Sequence, residues 1–300
     1  MKHLLKLSDL TREEILSILN LADQLKFERN NGISKKYLEG KTLGMIFQKA
    51  STRTRVSFEQ GIYELGGHGM FLSSNDLQIG RGEPVQDTAR VLSRYLSGIM
   101  IRTFAQQEVE DLAKYGSIPV INGLTDYAHP CQVLADLMTI REYKGSFKGL
   151  KMAYIGDGNN MANSLAVGAI KLDMTFATAC PEGYELDEGI KNWAKANGNF
   201  TITRSVEEAL KDADVVYTDV WSSMGMEKEK LAREKVFAGY QVNESNIKAA
   251  KSDVMVMHCL PAHRGEEITD GVFEAHAKEI FDEAENRLHA QKAVMVKLLK

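Results

Sequence analysis

The residues able to do chemistry fall in a few short stretches, each just after a β-rich run. After Thr42–Phe47 comes Ser51-Thr52-Arg53-Thr54-Arg55, which opens a helix. Three hydroxyls and two guanidiniums join the amide groups of a helix start there. Such a start attracts anions through its free N–H groups and the positive end of its dipole, and arginine adds a planar donor fork matched to phosphate. The run Gly98–Arg102 ends in an arginine, either a surface side chain or a donor to a carbonyl or phosphate oxygen. In His129-Pro130-Cys131-Gln132 the proline sits at a favoured first helical position. It fixes His129 at the helix mouth, where His129 could donate to a carbonyl and Gln132 could bond an amide.

Further along, Gly156-Asp157-Gly158-Asn159-Asn160 stands between a strand and a helix and partly matches a dinucleotide fingerprint. Met161 occupies the third glycine position and no acidic strand end follows near residue 180. The reading preferred here is a sharp turn offering the amides of Asn159 and Asn160 to a polar ligand. Asp219-Val-Trp-Ser-Ser223-Met224-Gly225 follows Val215–Thr218. It is either an ordinary surface loop or a closing loop in which Asp219 holds an amine and Ser223 a second polar group. His258-Cys259-Leu260-Pro261 ends the last strand. It could ligate a metal, though ligand spacing is incomplete; it could carry a nucleophilic thiol, or a partly buried thiol facing an amine.

These stretches need elements to hold them. Thr11-Arg-Glu-Glu14 is a capping box, followed at helical spacing by Ile15, Ile18, Leu19, Ala22 and Leu25. Strand-like runs at Thr42–Phe47, Met70–Leu72, Gly98–Arg102 and Ile118–Ile121 alternate with amphipathic segments at Val56–Leu65, Val85–Leu96 and Gln107–Tyr115. A longer helix, about Cys131–Tyr143, leads to the candidate hinge Lys144–Gly149. Alternation resumes at Lys151–Ile155, Met174–Thr178, Phe200–Thr203, Val215–Thr218 and Val254–His258, with a second capping box at Ser205–Glu208 and a final helix over Glu283–Lys300. This pattern predicts parallel βαβ units in two α/β halves joined near residue 145. Ligands then sit beyond the carboxyl ends of the strands.

Composition narrows the class. Lys+Arg 37 against Asp+Glu 41 gives a net charge of −4, which argues against nucleic-acid or membrane-surface binding. Three scattered cysteines, Cys131, Cys180 and Cys259, argue against a disulfide framework and point to a reducing, cytoplasmic setting. The charged start of the chain does not read as a signal peptide, and no apolar run reaches the roughly 18–20 residues of a membrane span.

Taken together, Ser51–Arg55, His129–Gln132, Gly156–Asn160, Asp219–Gly225 and His258–Pro261 resemble, in order, the motifs of the transcarbamoylase superfamily and within it the ornithine carbamoyltransferase family. The Ser-Met-Gly loop and His-Cys-Leu-Pro separate the chain from aspartate carbamoyltransferases. The resemblance implies two doubly wound α/β domains with parallel central sheets, linked by helices. Residues 1–144 would bind carbamoyl phosphate, residues 145–284 would bind ornithine, and helix 285–300 would pack back on the first domain. Carbamoyl phosphate would lie against Ser51, Thr52, Arg53, Thr54, Arg102, His129, Pro130, Cys131, Gln132, Cys259, Leu260 and Arg287. Gln78 would reach a neighbouring subunit's site in a homotrimer. L-Ornithine would meet Asn160, Asp219, Ser223 and Met224, with Arg102, His129 and Cys259 as the catalytic groups. No metal or organic cofactor is implied. The expected products are citrulline and phosphate, in arginine metabolism and read in its biosynthetic direction; putrescine or an acylated ornithine is the alternative acceptor.

Overall fold

A computed structural model describes residues 1–222 and 229–300. The chain divides into two compact units, Met1–Met138 with Glu285–Lys300, and Thr139–Ala284. In the first unit, strands β1 (Thr42–Phe47), β2 (His68–Ser73), β3 (Gly98–Arg102) and β4 (Val120–Leu124) form a parallel sheet in the order β2-β1-β3-β4. Helices α1 (Arg12–Asn30), α2 (Thr52–Glu64), α3 (Val85–Leu92) and α4 (Gln106–Tyr115) accompany it, and α5 (Pro130–Lys144) leaves it. Ile46, Ile99, Ile101, Val109, Leu112 and Val120 are buried together between strands and helices. From β1 the chain winds outward to β2 and then crosses to β3 on the other side. The switch point therefore lies between the carboxyl ends of β1 and β3, where Phe47 pairs with Arg102.

The second unit repeats this logic with β5 (Lys151–Ile155), β6 (Thr175–Ala179), β7 (Phe200–Thr203), β8 (Val215–Thr218) and β9 (Met255–His258), all parallel in the order β7-β6-β5-β8-β9. Its helices are α6 (Asn160–Lys171), α7 (Glu188–Asn197), α8 (Val206–Leu210), α9 (Lys230–Phe237) and α10 (Asp270–Ala275). Ala153, Ile155, Val216, Val256, Ile268 and Phe273 belong to its core. Here the switch lies between β5 and β8, where Ile155 pairs with Thr218 and Thr218 Oγ1 donates to Ile155 O at 2.8 Å.

The last helix, α11 (Ala277–Leu299), starts in the second unit and ends in the first, as α5 does in reverse. Its final turns pack back on the first sheet. A Cβ on Gly98 would stand 2.4 Å from Leu299 Cδ2, so β3 and α11 meet where only a glycine leaves room. Lys292 Nζ donates to Glu64 at 2.7 Å and Lys297 Nζ to Ser17 Oγ at 2.7 Å.

Several local expectations shift for physical reasons. The strand expected at Ile118–Ile121 begins only at Val120, because Pro119 offers no N–H to a ladder. It continues through Asn122 and Gly123, poor strand formers, with Asn122 Nδ2 donating to Leu5 O at 2.8 Å. The Thr11 capping box closes in both directions. The Ser205 box closes only halfway: Ser205 Oγ accepts from Glu208 N at 3.2 Å, while the Glu208 carboxylate accepts from Thr203. We expect Thr11→Ala to cost about 1 kcal/mol of stability, read by chemical denaturation; a loss near zero would mean the box holds nothing that solvent cannot.

Candidate active site

Helix α2 starts at Thr52, one turn earlier than the apolar spacing indicates, so Thr52, Arg53 and Thr54 form its first turn. Ser51 is the N-cap and accepts from Thr54 N at 3.2 Å. The two arginines differ. Arg55 bonds Glu59 at 3.1 Å and lies 3.7 Å from the Phe71 ring centroid. Arg53 is half-buried and has no side-chain partner among the described residues. On the neighbouring strand end Arg102 is buried rather than at the surface, with its carbonyl accepting from Gln48 N at 2.9 Å.

His129 and Pro130 open α5 beside β4. His129 is buried, and its imidazole is held well below its usual pKa by that burial and then by the charges of Arg287 and Arg102. It is therefore neutral at pH 7 and carries a single ring N–H. Cys131 is fully buried, its thiol pushed up to about 12 by burial and donating to Asn122 O at 3.3 Å. Its sulfur is structural, and only its backbone at the helix start remains available to a ligand. Arg287, from α11, donates to Gln132 Oε1 at 2.6 Å and Thr54 Oγ1 at 3.0 Å, which places α2, α5 and α11 around one guanidinium. Three cationic or donor side chains near a helix N-terminus make a site for a compact anion with a polarised carbonyl. Gln78 is exposed on the short turn Gln78–Arg81 that follows edge strand β2.

In the second unit, Asp219 follows β8 and is buried. Its Oδ2 accepts from Asn159 Nδ2 at 2.9 Å, and its Oδ1 from Val220 N at 2.8 Å and Cys259 Sγ at 3.1 Å. Among the described residues no cation pairs with it. Asp157, by contrast, pairs with Arg233, yet burial still raises its carboxyl to about 6. Asn159 does not offer its amide to a ligand as expected. Its oxygen caps α6, accepting from Met161 N at 2.9 Å and Ala162 N at 3.3 Å, and its nitrogen holds Asp219. Asn160 is the first residue of α6.

The same turn disposes of the dinucleotide reading. A Cβ on Gly158 would fall 2.3 Å from the Glu185 carbonyl carbon, so this glycine admits the chain's own backbone rather than a pyrophosphate. The helix amides that a pyrophosphate would use are already satisfied by Asn159. His258 is also committed: Nε2 meets Glu267 at 2.9 Å and Nδ1 accepts from Leu260 N at 2.9 Å, with Leu260 in the left-handed region at φ 58°. Cys259 and Leu260 thus present one fixed turn beside Asp219. Ser223 and Met224 lie outside the described residues.

Sequence reasoning missed Asn159 as the support of Asp219, and Asp136, which accepts from Gln132 Nε2 at 2.8 Å. The four-residue spacing of Gln132 and Asp136 on one helix was the available signal. A cavity of about 510 Å³ in the first unit, lined by Glu28, Lys35, Tyr37, Tyr63, Glu64 and Lys292 among others, includes none of these residues. His289 on α11 is lowered to about 4, chiefly by burial. The folded state thus resists protonating it, so stability present above pH 6.5 is lost as pH falls towards 4. Relative to a His289→Gln variant, the protein should lose roughly 2–3 kcal/mol between pH 7 and 4.5 in denaturant titrations; parallel pH curves for the two would refute this.

Residues 2–142 match the family model described as the carbamoyl-P binding domain of aspartate/ornithine carbamoyltransferase, and residues 148–298 match its Asp/Orn binding domain. The chain is 58% identical over 300 residues to the ornithine carbamoyltransferase of Oceanobacillus iheyensis, covering 98% of this chain and 93% of that one. It is 54% identical over 301 residues to that of Geobacter metallireducens, covering 100% and 99%. Among solved structures, the ornithine carbamoyltransferase of Pyrococcus furiosus superposes with a TM-score of 0.95 at 53% identity, covering 99% and 97%. The enzyme from Campylobacter jejuni, described as anabolic, gives 0.94 at 45%, covering 99% of each chain.

Proposed function

This chain belongs to the ornithine carbamoyltransferase family, and we propose from that premise that it transfers the carbamoyl group of carbamoyl phosphate to the δ-amine of L-ornithine, giving L-citrulline and phosphate. The observation that carries the reading is full-length similarity through both binding domains, at 53–58% identity to curated ornithine carbamoyltransferases. The geometry of each unit supports it. In the first, Ser51, Thr52, Arg53 and Thr54 receive the phosphate at the start of α2. Arg102 and neutral His129 donate to the carbonyl oxygen, and Pro130, Cys131, Gln132 and Arg287 complete the cup. In the second, Asp219, without a cationic partner among the described residues, receives the amine end of ornithine, with Asn160, Ser223 and Met224 on its other polar groups. Cys259 and Leu260 close the reacting end.

The neutral δ-amine attacks the carbonyl carbon. Negative charge gathers first on the carbonyl oxygen and then on the departing phosphate. Donors fixed before the reaction stabilise both without reorganising, each worth on the order of 3–4 kcal/mol. Asp219, through its bond with Cys259, takes up the proton that the amine must shed. Chain-to-chain assembly into a homotrimer is part of the proposal. Edge strand β2 exposes Met70 and Phe71, apolar groups that a second copy would cover, and Gln78 follows on the next turn. A cytoplasmic, biosynthetic role is likewise proposed. All three cysteines are free, and no helix among the described residues is long and apolar enough to cross a membrane. The test is steady-state citrulline formation with ornithine, putrescine and N-acetylornithine as acceptors. Ornithine should be preferred by orders of magnitude; turnover with either other amine instead would replace the reading.

A further inference from the structure

Resting on the carbamoyl phosphate reading of the first unit, we infer that Asp136 and Gln291 are positioning residues that clamp Arg287 in a single orientation beside Thr54 and Gln132. Buried Asp136 Oδ1 accepts from Gln132 Nε2 at 2.8 Å, which turns the nitrogen end of Gln132 towards it. The oxygen end of Gln132 must then face Arg287, whose Nη1 donates to it at 2.6 Å. On the other side Gln291 lies one helical turn after Arg287. With its amide turned to satisfy both neighbours, its oxygen accepts from Arg287 Nη2 at 2.9 Å and Nε at 3.1 Å, and its nitrogen donates to Ser57 Oγ at 2.6 Å. Ser57 Oγ in turn donates to Arg53 O at 2.5 Å. Thr54 Oγ1 takes the remaining bond from Nη2 at 3.0 Å.

The guanidinium is thus gripped from both edges, and the grip reaches the backbone of the α2 turn that carries Arg53. A flexible arginine loses rotamer freedom on binding an anion, and one already fixed does not. The clamp therefore acts on carbamoyl phosphate and not on the amino-acid acceptor. Neither Asp136 nor Gln291 touches substrate in this arrangement; both act through Arg287 and Gln132.

The test compares Asp136→Leu, Gln291→Leu and Gln291→Glu with the intact protein in steady-state citrulline assays. Gln291→Leu removes the acceptor, and Gln291→Glu restores it for Arg287. Asp136→Leu and Gln291→Leu should raise KM for carbamoyl phosphate about tenfold, as befits loss of a bond to a charged group, while KM for ornithine moves less than about twofold. Gln291→Glu should return KM for carbamoyl phosphate to within about threefold of the original. An unchanged KM for carbamoyl phosphate in Gln291→Leu overturns the clamp, as does a Gln291→Glu variant no better than Gln291→Leu, or equal changes for both substrates. If Asp136→Leu does not fold, the Gln291 pair decides. Should the intact protein make no citrulline, the functional reading fails separately. Calorimetric titration with carbamoyl phosphate then still reads the clamp: tighter binding to the intact protein than to Gln291→Leu supports it, and equal binding overturns it.

Discussion

Arg53→Gln is expected to lower kcat/KM for carbamoyl phosphate by about 10²–10³-fold, whereas Arg55→Gln, two residues away, should stay within about threefold. The difference follows from what each guanidinium already holds. Arg55 is exposed, bonded to Glu59 at 3.1 Å and laid over Phe71. Removing its charge costs a surface ion pair, an interaction worth about 0–1 kcal/mol. Arg53 sits on the first turn of α2, half-buried, with no competing side chain among the described residues. Its donors are available to an anion at the positive end of the helix, where charge develops as phosphate leaves. The measurement is initial rate against carbamoyl phosphate concentration at saturating ornithine, with inhibition by inorganic phosphate as a second readout. Both should weaken together in Arg53→Gln. Equal losses in the two variants would mean that general positive potential, and not the placed guanidinium, binds the phosphate.

That distinction between neighbours marks where the sequence stops being sufficient. The strands were legible: Thr42–Phe47, Gly98–Arg102, Lys151–Ile155, Phe200–Thr203 and Val215–Thr218 have the bounds their β-rich runs indicate. Four of these are buried central strands, whose continuous apolar runs with sharp polar ends write their limits in composition, while edge strand Phe200–Thr203 shows instead as a short alternating β-branched and aromatic run. The functional stretches follow those ends, which is why the motifs could be found at all. What pattern alone did not carry was the allocation of donors and acceptors. Ser-Thr-Arg-Thr-Arg does not say which arginine is spent on Glu59. Gly-Asp-Gly-Asn-Asn does not say that Asn159 caps α6 and braces Asp219. Cys131 and Cys259 look alike in sequence, yet one sulfur is sealed in the core with its pKa pushed to about 12 while the other bonds a carboxylate. Such choices depend on burial and on residues far apart in the chain. Thr54, Gln132 and Arg287 meet across more than 230 positions, a relation no local spacing encodes.

The same reasoning gives the second large effect. Asp219→Asn should reduce kcat/KM for ornithine by about 10²–10³-fold and leave KM for carbamoyl phosphate within about twofold. A buried carboxylate held by three donors but, among the described residues, no cation carries a desolvation cost that an arriving ammonium offsets. It is a better receptor for an amine than Asp157, whose charge Arg233 already meets. With Asn at 219 the amine must arrive already neutral from solution, where amines of this kind titrate near pH 10. Activity of the variant should therefore climb steadily from pH 7 to 9.5, a range where the original enzyme has the carboxylate to take the proton. The substitution also sets the new amide nitrogen against Asn159 Nδ2, two donors face to face, for a stability cost of about 1–3 kcal/mol. That cost lowers the folded fraction and so depresses the rate equally for both substrates. A loss confined to ornithine, with a rising pH profile, is what an amine-receiving carboxylate produces. A loss shared by both substrates and indifferent to pH would reduce Asp219 to a brace for the Cys259 turn.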